Sequence, residues 1–116
     1  MNILDLKKYC LALNGAREDY PFGDDVLVIK VLSKMFALIT FKDDELHLSL
    51  KCDPKLAEHF RQQYASVTPG YHLNKKHWNT IIMNDSVPED EIIWMIHHSH
   101  ELVLKSLTKA ERQTLA

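Results

Sequence analysis

Residues 26–52, V-L-V-I-K-V-L-S-K-M-F-A-L-I-T-F-K-D-D-E-L-H-L-S-L-K-C, decide the fold. Two β-branched or apolar runs, 26–31 and 35–41, are separated by Leu32-Ser33-Lys34, which predicts a hairpin. The acidic stretch Lys42-Asp43-Asp44-Glu45 then turns the chain into a strict alternation. Leu46, Leu48, Leu50 and Cys52 fall on one face, and His47, Ser49 and Lys51 on the other. A period of two with one apolar and one polar side predicts a half-buried antiparallel strand.

On either side of this core, the pattern changes to helical. Residues 3–13 place Ile3, Leu4, Leu6, Cys10, Leu11 and Leu13 at helical spacing, with Gly15 as the stop. The segment 16–25, A-R-E-D-Y-P-F-G-D-D, is predicted as a turn, because Pro21 and Gly23 interrupt any regular element. Downstream, Asp53 is placed to cap a helix that begins at Pro54, with Leu56, Phe60 and Tyr64 as its apolar stripe. Residues 67–73 and 77–83 predict two more strands around Asn74-Lys75-Lys76, the first with an extended loop as its alternative. After a turn at Asn84-Asp85-Ser86, Asp85 or Ser86 leads through Pro88 into a helix whose acid-rich start suits the positive end of its dipole. Ile92, Ile96, Ser99 and Val103 are its stripe. Thr108 and Glu111 form a capping box for a terminal helix over 109–115. The expectation is an α+β fold: an antiparallel sheet flanked by helices in one domain over 1–116.

Composition narrows the functional classes. With 116 residues, 46% of them hydrophobic and 26% charged, the chain can build a globular core without covalent staples. Cys10 and Cys52 are far apart and form no CxxC, which fits reduced thiols and a cytoplasmic setting. The first eight residues mix acid and base, so no signal peptide is read there, and no apolar run is long enough for a membrane span. The net charge of −2 does not suit a strongly basic nucleic-acid domain, but its distribution is uneven. Residues 51–77 hold five basic side chains against two acidic ones and also carry His59, His72 and His77. A local patch of that sign can bind phosphate while the rest of the surface repels it.

Within that segment, P-G-Y-H-L-N-K-K-H-W-N at 69–79 packs rings and cations together. A turn at Asn74-Lys75-Lys76 would lay both lysines on a phosphate backbone in the manner of a wing. Lys51, His72, Lys75, Lys76 and His77 are the candidate phosphate contacts, with Asn79 beside them and Tyr71 or Trp78 as stacking rings. The alternative is that Tyr71 and Trp78 belong to the core and the lysines solubilise a turn. A second candidate is a groove between Tyr20 and Phe22 and the 69–79 hairpin, suited to a protein or a small ligand.

Other constellations are weaker. Glu18, Asp19, Asp24 and Asp25 surround an aromatic turn, but their spacing matches no cation loop. His97, His98 and His100 with Glu101 lack the H-E-x-x-H pattern and a third ligand. Cys52 precedes a helix N-terminus that would lower its pKa, yet the alternation puts it in the core. No phosphate loop, dinucleotide fingerprint or nucleophile elbow is present. A non-enzymatic binding domain is expected, with no cofactor, no metal and no membrane contact, acting as a monomer.

The segments E-D-Y-P-F-G-D-D-V (18–26), L-S-L-K-C-D-P (48–54), T-P-G-Y-H-L-N-K-K-H-W-N (68–79) and H-S-H-E-L-V (98–103) are similar to the MmcQ/YjbR family of small bacterial proteins. The resemblance runs over nearly the whole chain. It implies a compact α+β domain related to double-wing folds, and a DNA-binding role of the kind assigned to the family by fold analogy. It transfers no catalytic residue.

Overall fold

A computed structural model describes residues 1–115. The helices are α1 (Ile3–Leu11), α2 (Pro54–Gln63), α3 (Glu89–Ser106) and α4 (Lys109–Gln113). The strands are β1 (Ala16–Asp19), β2 (Val26–Val31), β3 (Lys34–Lys42), β4 (Glu45–Lys51), β5 (Val67–Pro69) and β6 (Trp78–Ile82). They form a six-stranded sheet in the order β1-β2-β3-β4-β6-β5, and every pairing is antiparallel. The α+β architecture is thus the expected one.

The alternation at 46–52 positions both sides of this sheet. Leu48 and Leu50, with Leu27, Ile29, Ile39 and Ile81 of neighbouring strands, join one apolar core with Leu6 and Cys10 of α1, Ala57 and Phe60 of α2, and Ile92, Ile96 and Val103 of α3. Phe36, Ile29, Leu48, Ile92 and Ile96 are fully buried there. Burying each such side chain contributes roughly 1.5–3 kcal/mol. The helices cover that face. The opposite face carries His47, Ser49 and Thr80, in register with Thr40, Leu38 and one another.

Local chemistry explains the helix ends. Asp53 Oδ1 accepts from the backbone N–H of Lys55 and Leu56, and Pro54 takes the first turn of α2. Thr108 and Glu111 make the predicted capping box of α4, which ends at Gln113. Gly15, at φ 74, turns the chain after α1, in a conformation that costs glycine little.

Three expectations need correction. Residues 16–19 are a strand, not part of a turn: β1 has no apolar run of its own and exists because Ala16 to Asp19 pair with Val31 to Val28. Neither Asp85 nor Ser86 caps α3; Pro88 holds that position without a side-chain bond. The Ser86 hydroxyl instead bonds Ser66 Oγ and Asn84 Oδ1. Residues 70–73 leave the sheet, so β5 is three residues long and the extended-loop alternative holds beyond it. Among the described residues no helix is long and apolar enough to cross a membrane.

Candidate functional site

On the helix-free face lies a cleft of about 440 Å³. Its floor comes from Val26 of β2, Leu38 and Thr40 of β3, His47 and Ser49 of β4, and Thr80 of β6. Phe22 and the β3 end, Phe41 and Lys42, form one rim, and Tyr71, His72 and Leu73 form the other. Phe22, Phe41 and Tyr71 are 62%, 59% and 51% exposed. Three large rings open to water thus converge on one concavity, whereas exposed apolar residues are ordinarily scattered singly. The twelve lining residues include one lysine and two histidines but no carboxylate.

The rim at 70–77 is a structured loop. Gly70 N–H donates to Trp78 O at 2.9 Å, and Lys75 Nζ donates to Gly70 O at 3.0 Å. Asn74 Oδ1 accepts from the N–H of Lys76 and His77, an Asx turn. Arg61 of α2 reaches across: its Nε donates to Asn79 Oδ1 at 2.7 Å, and its Nη2 to the carbonyls of Trp78 and Lys75. Tyr71 N–H donates to Thr80 Oγ1 at 3.0 Å, and the Lys42 ammonium stands 3.8 Å from the centre of the Tyr71 ring. His72, at φ 56, turns its ring to within 4.0 Å of that of Tyr71. The loop approaches the sheet so closely that a Cβ on Gly70 would lie 2.7 Å from Trp78 Cβ. Gly70→Ala is therefore expected to cost about 1–2 kcal/mol and to shift the amide resonances of Tyr71 and His72, as read by thermal unfolding and NMR.

The predicted site residues separate into four groups. Tyr71, His72 and Phe22 meet in the cleft. Lys51, Lys75, Lys76 and His77 lie outside it; Lys51 is half-buried, and Lys75 uses its amine within the loop. Trp78 and Asn79 are inside the protein, at 8% and 4% exposure, and brace the loop. Tyr20 faces a different depression, beside Ile3, Lys7 and Asp24, so the groove is formed by Phe22 and not by the Tyr20–Phe22 pair. The cleft residues absent from the sequence reading, above all Phe41, Lys42 and Thr80, carry one readable signal. His47, Ser49 and Thr80 sit at alternating strand positions, which marks the face away from the core as the polar one.

Elsewhere the weaker constellations do not converge. Glu18 pairs with Lys7 at 3.3 Å and Asp19 with Lys30 at 2.8 Å. The Lys30 ammonium, followed by the Tyr20 N–H, holds the Asp19 carboxyl below the usual carboxylate range. His97 is exposed, whereas His100 is buried, bonded to Asn14 O and edge-on to Phe36. Among the described residues no group of three His, Cys, Asp or Glu side chains could hold a metal ion. Burial pushes the Cys52 thiol up to about 11, with Asp53 adding to the rise and Arg61 opposing it. The helix N-terminus does not rescue its reactivity.

His98 stacks on Trp94 at 5.0 Å, and its Nε2 accepts from Asp53 N–H, the N-cap of α2. Burial lowers its pKa, against the opposing pull of Asp53 and Glu101. Folding therefore favours the neutral ring, so this contribution is complete above the unfolded histidine value of about 6.5 and is lost as pH falls from there through the lower folded value. The unfolding midpoint is expected to drop between pH 7.5 and 5.5, and less so in His98→Gln. Equal pH slopes in the two proteins would remove His98 as the cause.

A family model described as YjbR matches residues 11–102. The chain is 34% identical to the YjbR protein of Escherichia coli K12 over 115 residues, which is 99% of this chain and 98% of that one. It is 32% identical to the YbdF protein of Escherichia coli O157:H7, covering 92% and 88% of the two chains. Among solved structures, Deinococcus radiodurans protein DR2400, which has a DUF419 domain, superposes with a TM-score of 0.90 at 44% identity, covering 98% of this chain and 87% of that one. A Pseudomonas syringae protein superposes with a TM-score of 0.77 at 26% identity, over 89% and 99%.

Proposed function

This chain belongs to the YjbR family, and we propose that it is a small-molecule-binding protein whose site is the cleft on the helix-free face of the sheet. The observation that carries this reading is the convergence of Phe22, Phe41 and Tyr71 on a concavity of about 440 Å³. That volume lies in the range of roughly 300–1,000 Å³ usual for ligand pockets. Apolar walls with a few polar groups at the floor suit a flat, mostly apolar molecule. The neutral probe 2-naphthylmethanol is expected to shift the amide resonances of Leu38, Thr40, Ser49, Tyr71 and Thr80 in an NMR titration. Replacing two of the three exposed rings, Phe22→Ala with Phe41→Ala, should weaken it about tenfold because less apolar surface is covered on binding. Shifts scattered away from the cleft, or an affinity indifferent to the double substitution, would count against the site.

A second reading is binding of nucleic acid through the 70–77 loop, supported by the exposure of Lys76 and His77 with no ion pair on Lys76 among the described residues. Against it stands the acidic turn Asp43-Asp44-Glu45, which follows Lys42 directly beside Tyr71. Binding would be weak and salt-dependent. In duplex and single-stranded DNA titrations at two salt concentrations, Lys75→Ala/Lys76→Ala should flatten the salt slope by about 0.9 (duplex) or about 0.7 (single strand) for each phosphate that these lysines neutralise. Indifference to that substitution would end this reading.

A further inference from the structure

We propose that the ligand of the cleft carries a single anionic hydrogen-bond acceptor, making it an aromatic carboxylate, and that it seats this group on the Ser49–Thr80 hydroxyl pair. The inference rests on the cleft being a ligand site and adds the chemical class. Ser49 and Thr80 face each other across β4 and β6, with hydroxyl oxygens 2.8 Å apart. Both are more than nine-tenths buried, at 8% and 3% exposure, and both line the cleft. Each hydroxyl owns one proton. One of the two protons is consumed in the bond between them, whichever residue donates. The only other bond at either hydroxyl, among the described residues, is the one Thr80 Oγ1 accepts from Tyr71 N–H, which consumes no hydroxyl proton. One O–H is therefore left without an acceptor at the floor of the cleft. A buried donor with no acceptor is costly, and a ligand oxygen placed there relieves that cost.

The charge of the lining sets the sign of the ligand group. Lys42, His47 and His72 line the cleft and no Asp or Glu does. Among the described residues neither imidazole makes a hydrogen bond and the Lys42 ammonium is in no ion pair; it rests on the Tyr71 ring. A single permanent cation suits a monoanion better than a phosphate dianion. The body of the ligand follows from the walls, where Phe22, Phe41 and Tyr71 offer ring faces and Val26, Leu38 and Leu73 aliphatic contact.

Titration with 2-naphthoate beside 2-naphthylmethanol separates this inference from the reading beneath it. The carboxylate is expected to bind at least about tenfold more tightly, with its largest shifts at Ser49, Tyr71 and Thr80. Ser49→Ala leaves Thr80 with its own proton free and should keep most of that preference. Ser49→Ala/Thr80→Val leaves none and should retain only the few-fold preference that the Lys42 charge supplies. Lys42→Met, at an exposed position, should cut the preference several-fold and gives the charge test even if the double variant does not fold. Equal affinities in the wild type, or a preference undiminished in the folded double variant, would overturn the carboxylate while leaving the cleft. Absence of cleft shifts with either probe would overturn both.

Discussion

Asn79→Ala is expected to destabilise the protein by about 2–4 kcal/mol, although Asn79 is a polar residue in a strand beside the candidate site. Asn79 is 4% exposed and bonded at both ends of its amide: Oδ1 accepts from Arg61 Nε at 2.7 Å, and Nδ2 donates to Ala57 O at 3.2 Å. Truncation leaves the Arg61 Nε–H without its partner and takes from Ala57 O the bond it accepts beyond its own helix, at the junction of α2 and β6. Arg61→Met should cost a similar amount by another route, because it strips the donor from Asn79 Oδ1 and from the carbonyls of Lys75 and Trp78. The two residues form one unit, so the double variant should be little worse than either single, with a coupling of about 1 kcal/mol or more in a double-mutant cycle. Denaturant unfolding gives these values; simple additivity would refute the unit. The functional consequence is specific. Arg61 is the strut that holds the 70–77 loop against the sheet, so its loss should weaken 2-naphthylmethanol binding even at temperatures where the variant remains folded.

This strut also explains why the site was only half legible in the sequence. The alternation of Leu46, Leu48 and Leu50 with His47, Ser49 and Lys51 was enough to give both faces of β4, because period-two patterning is a property of the strand itself. The capping at Asp53 and Pro54 was local in the same way. The hairpin tip at Asn74-Lys75-Lys76 was legible as a turn, and Asn74 does make one. What cannot be read locally is that Arg61, eighteen positions before Asn79, folds this loop inward and engages Lys75 through its carbonyl. β1 escaped for a related reason, since A-R-E-D becomes a strand only through its pairing with β2. The cleft gathers Phe22, Phe41, His47, Tyr71 and Thr80 because β6 inserts between β4 and β5. No spacing rule in the sequence encodes that insertion. Trp78 shows the remaining ambiguity: an aromatic beside two lysines can be read as core or as a stacking surface, the former being the better reading, and its burial beneath the loop agrees with the interior.

On the helical face, the second large effect is centred on Ser99. This residue sits in the apolar stripe of α3 with no exposed surface, where alanine would be the better helix residue. Its hydroxyl donates to Phe36 O at 2.5 Å and accepts from Lys51 N–H at 2.9 Å. It thus serves two backbone groups, one on β3 and one on β4, at the end of the sheet where the ladder between them has run out. Ser99→Ala removes both partners at once, and each orphaned group costs about 1–3 kcal/mol. The expected loss is about 2–4 kcal/mol, which for a domain of this size lowers Tm by roughly 10–20 °C. Helix propensity pulls the other way by less than about 1 kcal/mol, so the hydrogen bonds decide the sign. Ser99→Cys, close in volume with a weaker donor and acceptor, should fall between the two. A Tm for Ser99→Ala within a few degrees of wild type would mean that water reaches Phe36 O and Lys51 N–H. In that event β4 would be held by its ladders to β3 and β6 and by core packing, and the floor of the cleft on its other face would owe nothing to the Ser99 hydroxyl.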